Sequence, residues 1–174
     1  MGLHLIIDGY NLIRASESLS RAEAVSLEEG REALVARLAA YKRVKHWPVT
    51  LVFDAMSGPH LREKSEHVQG VKVVYSPAGQ TADQVIIRLA RQKGTQALVV
   101  TSDRALARSV ETAGATVITS PEFEDRMEMA FYLDTKGPGA DEEDFEPTLS
   151  TRKKGPSRRR SKADRSRAAR KGKI

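Results

Sequence analysis

The 174-residue chain contains no cysteine, which excludes disulfides and thiolate metal sites. No apolar run approaches the roughly 20 residues of a membrane span. The first apolar run, 3–7, is too short for a secretion signal and no basic segment precedes it. A glycine-rich nucleotide loop is also missing, and the four histidines show no zinc-ligand spacing. We therefore expect a soluble, cytoplasmic protein without a membrane partner.

Charge is divided unevenly along the chain. The net charge is +6, yet residues 151–174 hold 12 Lys or Arg and a single Asp, which leaves 17 basic and 22 acidic residues in the first 150. We predict one folded domain over 1–135, then an acidic Gly/Pro linker over 136–150 and a basic tail over 151–174. Both of the latter have too little apolar content to fold and should be disordered when free.

Short apolar runs alternate with helical patterns through the first 135 residues. We predict five strands, at 3–7, 49–53, 71–75, 97–101 and 116–119. We predict helices at 26–45, 81–93, 104–113 and from 120 onward; the stretch 14–25 predicts a loop and 56–70 a mobile polar segment. This alternation predicts an α/β fold with three layers around a mostly parallel sheet.

Three carboxylates have related positions in this scheme. Asp8 ends the first strand, Asp103 follows the fourth, and Asp83 lies in the first turn of the helix before the fourth. If the first and fourth strands are neighbours, all three acids could share one Mg²⁺ ion, which prefers oxygen ligands and is commonly held by carboxylates and substrate phosphates. The alternative is structural: Asp8 closes a turn, while Asp83 and Asp103 stabilise helix starts.

Four motifs follow one another along the chain. They are Asp8-Gly9-Tyr10-Asn11-Leu12-Ile13, Val52-Phe53-Asp54-Ala55, Tyr75-Ser76 with Gly79-Gln80-Thr81-Ala82-Asp83, and Val99-Val100-Thr101-Ser102-Asp103-Arg104. In this order they resemble the NYN domain of the YacP type, a branch of the PIN-like nucleases, and the resemblance covers 3–133. It implies a five-stranded parallel sheet in the order 3-2-1-4-5, and metal-dependent RNA hydrolysis by Asp8, Asp83 and Asp103. Characterised relatives of this type include a ribosome-associated endoribonuclease that cuts messenger RNA during translation.

The fourth acid that PIN-like nucleases often carry near the fifth strand has no clear counterpart. Glu122, Glu124 and Asp125 lie nearby, but first-turn helix acids are the simpler interpretation. The site would then consist of three acids with polar helpers, for which Asn11, Asp54, Thr101 and Ser102 are the candidates. Asp54 is the weakest of them, and Asn11 is equally explained as a turn residue.

Together these residues predict phosphodiester hydrolysis by water that Mg²⁺ or Mn²⁺ activates. Arg104 is a candidate phosphate contact, with a solvated helix residue as the alternative. The tail residues Arg158, Arg159 and Arg160 would bind RNA phosphates without sequence preference, although such tails also serve solubility. A non-catalytic RNA- or ribosome-binding module is the main rival. Aspartyl-phosphate phosphatase, Toprim and receiver-domain sites fit less well, because each needs acids or a lysine that this chain lacks at the corresponding positions.

Overall fold

The computed structural model describes residues 2–54 and 63–136. These ranges contain six strands, six α-helices and one 3₁₀ turn. Their bounds are β1 (His4–Asp8), α1 (Gly9–Ala15), α2 (Glu17–Val25), α3 (Leu27–Lys45), β2 (Val49–Phe53), β3 (Lys64–Val68), β4 (Val71–Tyr75), α4 (Ala82–Lys93), a 3₁₀ turn (Gly94–Gln96), β5 (Ala97–Val100), α5 (Arg104–Thr112), β6 (Thr116–Ile118) and α6 (Ser120–Lys136). None of the helices in these ranges is both long and apolar enough to span a bilayer.

The six described strands form one sheet in the order β3-β4-β2-β1-β5-β6. All neighbours are parallel except β3 and β4, which are antiparallel. The α/β fold and the order of the five predicted strands are confirmed, with β1 central between β2 and β5. The carboxyl ends of β2, β1 and β5 therefore meet at one edge of the sheet.

The strand β3 corrects the sequence-based count of five. Its residues lie within the segment that we predicted to be mobile; the first part of that segment, 56–62, lies outside the described residues. β3 forms a hairpin with β4 through Gln69 and Gly70, whose φ angles of 51° and 81° suit a two-residue turn of type I′. The strand is polar because it lies at the edge of the sheet and is largely exposed, so hydrophobic periodicity does not reveal it.

Two short helices, α1 and α2, replace the loop predicted at 14–25. They are separated by Ser16, whose extended backbone ends α1 and whose Oγ accepts a hydrogen bond from the Leu19 amide at 3.5 Å, starting α2. Each helix buries only a few residues; in α2 the buried residue is Leu19. A short helix with one anchoring residue leaves no clear helical period in the sequence.

Both faces of the sheet are covered by helices, as predicted. Alternate residues of each strand point to opposite faces: Leu5 and Ile7 of β1 pack with α1, α3 and α6, whereas Ile6 packs with α4 and α5. The predicted helix starts are confirmed at Ser26, whose Oγ caps α3, and at Thr81, which forms a full capping box with Gln84 at the start of α4.

Candidate active site

Four aspartates converge at the carboxyl edge of the sheet. Asp8 is the last residue of β1, Asp54 directly follows β2, Asp103 starts α5 after β5, and Asp83 lies in the first turn of α4. They line one pocket of about 380 Å³. Chain segments separated by up to about a hundred residues are joined here, because parallel neighbouring strands end at the same edge.

Asp8 lies at the centre of this pocket and is partly buried. Its Oδ1 accepts a hydrogen bond from the Asn11 amide at 3.4 Å, which caps α1, and its Oδ2 accepts one from the Thr101 hydroxyl at 3.2 Å. The structural alternative for Asp8, a residue that closes the strand-to-helix turn, therefore describes a real contact, because Asp8 caps α1. Its second oxygen, however, is directed by Thr101, which directly follows β5, and a local turn does not require this contact.

Asp54, the weakest candidate from the sequence, belongs to this pocket. Its Oδ1 accepts a hydrogen bond from the Ala82 amide at 2.6 Å and a longer one from the Ser76 hydroxyl at 3.5 Å. The carboxylate thus lies at the amino terminus of α4, where the helix dipole favours a negative charge. Asp54 provides the fourth acid of the pocket from the end of β2.

Asp103 and Asp83 both lie at the start of a helix. Asp103 Oδ1 accepts hydrogen bonds from the Ala105 and Leu106 amides at 2.7 and 2.9 Å, so this acid does cap α5. Asp83 lies in the first turn of α4, after the Thr81 cap. The structural alternative therefore describes a real contact for Asp103, whose capping hydrogen bonds hold its side chain in the wall of the pocket, and Asp83 lines the same pocket from the first turn of α4.

Thr101 links two of the acids. Its buried hydroxyl donates to Asp8 and accepts a hydrogen bond from the Asp103 amide at 3.1 Å. Since a threonine hydroxyl has one hydrogen to donate, the contact with Asp8 uses it completely. Thr101 is accordingly a positioning residue, placed between Asp8 and the start of α5.

Asn11 connects α1, the β5–α5 loop and α6. Its Oδ1 accepts hydrogen bonds from the Ser102 amide at 2.8 Å and from the buried Ser120 hydroxyl at 2.6 Å, while Ser102 Oγ accepts one from the Ser120 amide at 3.2 Å. Because a backbone N–H can only donate, the Asn11 atom facing Ser102 must be the oxygen. Both lone pairs of that oxygen are then used, and the amide nitrogen is the end left for contacts in the pocket.

Two pocket residues were missed from the sequence. Tyr10 and Arg14 both line the pocket, and the Arg14 guanidinium lies 5.6 Å from the centroid of the Tyr10 ring. Arg14 is mostly exposed and also approaches Glu23 at 3.9 Å. Tyr10 and Arg14 are four residues apart in the sequence, a spacing that places both side chains on one face of a helix. We did not recognise this because we assigned 14–25 to a loop.

The electrostatics of the pocket are those of crowded carboxylates. Burial, with a smaller effect from the neighbouring charges of Asp83 and Asp54, raises the pKa of Asp8 to about 6 against the opposing effect of its two hydrogen bonds. The pKa of Asp83 is raised as well, first by burial and then by Asp103 and Asp54. A cation in this pocket would relieve the repulsion between these charges.

The carboxylate oxygens of the pocket are hard ligands of the kind that Mg²⁺ and Mn²⁺ bind, but the carboxylates are too widely spaced to enclose an ion. In 2–54 and 63–136, no three acidic or histidine side chains come close enough together to hold one ion by themselves. This arrangement fits Mg²⁺, which keeps several waters and is often held by only one or two carboxylates. It does not fit a cage made of protein ligands alone.

The other predicted residues lie outside the pocket lining. Arg104, the first residue of α5, is exposed. Among the acids near the last strand, Glu124 binds Arg37 of α3 at 2.7 Å and Glu122 binds Arg126 at 3.2 Å, so both make contacts within the helical layer. Arg158, Arg159 and Arg160 lie outside the described residues.

A three-layer α/β domain with carboxylates at the carboxyl edge of its sheet has its acids where open α/β sheets bind ligands. The chain matches the family model described as the YacP-like NYN domain over residues 5–156 and belongs to that family. NYN domains form part of the PIN-like nuclease superfamily, and the match confirms the resemblance seen in the motifs.

Particular relatives come from Bacillus subtilis. A protein described there as uncharacterized protein YacP is 37% identical over 102 residues, which cover 57% of this chain and 59% of the relative. Two crystal structures of Rae1 (YacP) from the same organism, one of them a single-residue variant, superpose with TM-scores of 0.65 and 0.63 at 30% identity. The superpositions cover 78% and 76% of this chain and 79% and 78% of those chains, respectively.

Proposed function

We propose that this protein is a metal-dependent endoribonuclease that hydrolyses phosphodiester bonds of RNA. The observation that carries the proposal is the position of Asp8, a partly buried acid with a raised pKa between Asp54, Asp83 and Asp103 in one pocket. Helix capping can explain an acid taken singly, but it gives no reason to gather four like charges in one pocket, since each adds repulsion to the folded state. A site for a cation and a phosphodiester does give such a reason.

Of the three predicted ligands Asp8, Asp83 and Asp103, one or two would bind Mg²⁺ or Mn²⁺ directly and the rest would act through bound water, with substrate phosphate completing the coordination. The metal ion, when bound, would supply Lewis acidity and lower the pKa of an attacking water. Thr101 would hold the Asp8 carboxylate in place, and Asp54 would supply a further negative charge that retains the ion or orients water. Arg14 and the amide nitrogen of Asn11 would donate hydrogen bonds to phosphate oxygens.

Messenger RNA at the ribosome is the substrate that we propose. This choice is supported by the resemblance to YacP-type NYN proteins, and by the basic tail, whose 12 cationic residues suit a partner rich in phosphate. A nearly neutral domain, with 16 Lys or Arg and 17 Asp or Glu in 1–135, would use the cationic tail for affinity and its acidic pocket for cleavage.

The direct test compares cleavage of a labelled RNA by the wild-type chain and by Asp8→Asn and Asp103→Asn in Mg²⁺ and in a chelator. The matched control is Glu111→Gln, which removes an exposed acid of α5 outside the pocket. We expect each pocket variant to lose about 100-fold or more in rate, given the several kcal/mol that a positioned metal contributes, and the control to cleave normally. Undiminished cleavage by both pocket variants would exclude the proposed site.

The second candidate is a non-catalytic module that binds RNA or the ribosome. It is favoured by the open spacing of the carboxylates, which provides no complete ligand cage for a metal ion in the described residues. This candidate predicts RNA binding that Asp8→Asn leaves unchanged and no cleavage of any RNA by the wild-type chain in Mg²⁺ or Mn²⁺.

A further inference from the structure

A second groove lies beside the acidic pocket, between α3 and the β3–β4 hairpin. Its volume is about 330 Å³, which exceeds the space that one nucleobase occupies. Val35 and Val73 are the buried apolar residues of its lining, and Arg31 and Tyr75 contribute a guanidinium and an aromatic ring. We call it the Arg31 groove.

The Arg31 groove and the acidic pocket share a wall. Tyr10, which lines the pocket, accepts a hydrogen bond at its hydroxyl from Arg31 Nε at 2.9 Å. Tyr75 ends β4 and pairs in register with Phe53, the residue before Asp54. The Tyr75 end of the groove therefore lies at the same sheet edge as the pocket, one strand further out, while its other end reaches the β3–β4 turn at Gln69. A strand of RNA that crosses Asp8 and Asp54 would next reach Tyr75.

Flat, polarisable groups surround Arg31. Its guanidinium lies 5.7 Å from the ring centroids of Tyr10 and Phe53 and 5.9 Å from that of Tyr75. In the described part of the chain no carboxylate lies within 4.0 Å of this guanidinium to form an ion pair. Arginine planes and aromatic rings are the surfaces on which unpaired RNA bases stack.

The charged residues of the groove lining favour the base of a nucleotide over its phosphate. Glu28, Glu32 and Glu66 also line the groove, and they outnumber the single cation in its lining. Three carboxylates repel a phosphate group, but they accept hydrogen bonds from the amino and imino groups on a base edge. The phosphates would remain at the mouth, where Lys64 lies 5.9 Å from the Tyr75 ring.

We propose that the Arg31 groove binds one unstacked base of the RNA strand whose phosphate lies in the acidic pocket. It should favour guanine, adenine and cytosine over uracil, because those three bases carry an exocyclic amino group with two N–H donors, whereas uracil offers the glutamates only its single N3–H. This inference rests on the proposed function, since it assumes that RNA crosses the pocket, but it concerns binding of a base rather than cleavage.

The test uses the full-length Asp8→Asn chain, which suppresses cleavage, and fluorescently labelled six-nucleotide RNAs in which each position in turn lacks its base. Anisotropy titrations should show one position at which loss of the base weakens binding about tenfold. Adding Tyr75→Leu should reduce that penalty to less than about twofold, because the stacking surface is lost. A uridine at the same position should bind more weakly than a guanosine.

Two exposed or partly exposed positions keep the test valid if Tyr75→Leu does not fold. Glu32→Gln removes an acceptor and should narrow the preference for guanosine over uridine, and Arg31→Lys keeps the charge but removes the stacking plane. Glu111→Gln is the matched control and should leave both preferences unchanged. The proposal would be overturned if the base-loss penalty were equal with and without the groove substitutions, or if no position showed a penalty. It would also be overturned if the groove bound an arginine-rich peptide and not an RNA base.

The two proposals can fail separately. A position-specific base penalty that the groove variants remove, in a chain whose wild type cleaves no RNA, would support the groove and reject the nuclease. Cleavage that depends on Asp8 but shows no effect of any groove substitution on base preference would do the reverse.

Discussion

Thr101 and Asp8, 93 residues apart, share a hydrogen bond from the threonine hydroxyl to Oδ2 of the aspartate at 3.2 Å. The same hydroxyl accepts the Asp103 amide at 3.1 Å. One buried side chain thus couples the acid at the end of β1 to the acid that starts α5. The relative positions of two proposed metal ligands depend on a residue that need not touch the metal.

Replacing Thr101 by valine should therefore impair chemistry more than stability. The change keeps the shape but leaves one buried donor and one acceptor unpaired, at a cost of about 1–3 kcal/mol. We expect RNA cleavage to fall about 10- to 100-fold, the usual cost of losing a residue that orients a metal ligand. Thr50→Val is the control: it removes the buried hydroxyl contact with His4 at 2.8 Å, away from the pocket, and should reduce stability while cleavage per folded molecule is retained.

Asp8→Asn should stabilise the metal-free protein at neutral pH. The folded-state pKa of Asp8, about 6, exceeds its ordinary value of 3.8, so the folded protein binds the proton more tightly and loses stability as pH rises between these values. Removing the charge should recover about 1–3 kcal/mol at pH 7. Denaturant unfolding at pH 7 and pH 3 checks this, and an equal effect at both pH values would contradict the electrostatic explanation.

Magnesium should reduce the difference in stability between the wild type and Asp8→Asn. A cation bound in the pocket stabilises the folded wild type by mass action, by about 1.4 kcal/mol when its concentration is about ten times the dissociation constant. Thermal unfolding with increasing Mg²⁺ should raise the Tm of the wild type and have much less effect on Asp8→Asn. A parallel response of both proteins would show that Mg²⁺ acts elsewhere.

Cleavage should depend on pH through Asp8. At limiting Mg²⁺ the rate should rise with pH through a midpoint near 6, because only the ionised carboxylate can bind the metal. Raising the Mg²⁺ concentration should move the midpoint downward, since a bound cation favours the charged form. Rates measured over this range at two Mg²⁺ concentrations test the assignment, and a midpoint that is insensitive to Mg²⁺ would argue for a different titrating group.

Gly9 should tolerate no side chain. A Cβ at this position would overlap the ring of Phe53, which is fully buried and packs against Tyr10 and Tyr75 at centroid distances of 5.0 and 6.0 Å. Gly9→Ala should cost about 1–3 kcal/mol through overpacking. Gly2→Ala, where a Cβ meets nothing within 4 Å, is the control and should unfold like the wild type in denaturant.

The basic tail should contribute affinity rather than chemistry. Deleting residues 151–174 removes 12 cations and one acid, so RNA binding should weaken and lose most of its salt dependence. The rate at saturating RNA should remain close to that of the full chain. Replacing only Arg158, Arg159 and Arg160 by glutamine should give an intermediate salt slope, whereas a fall in the saturated rate would assign the tail a role in the pocket.

The sequence by itself determined which residues form the core of the fold. The buried strands, the helix starts at Ser26, Thr81 and Asp103, and three of the pocket acids were all readable from it, because apolar runs, helix caps and strand ends are local patterns. Where the local pattern was weak, the prediction failed. The exposed edge strand β3 and the short helices α1 and α2 have too few buried residues to produce a period.

Only the tertiary structure decided which of these residues act together. Asp54 and Asp8 meet because β2 lies beside β1, and Ser120 reaches Asn11 across 109 residues because α6 begins beside the end of β5. Tyr10 and Arg31 likewise join the acidic pocket to the Arg31 groove through a contact that no sequence spacing indicates. Strand pairing and side-chain packing join residues that are far apart in the sequence. The acids could therefore be identified from the sequence, whereas their common site follows only from the order of the strands.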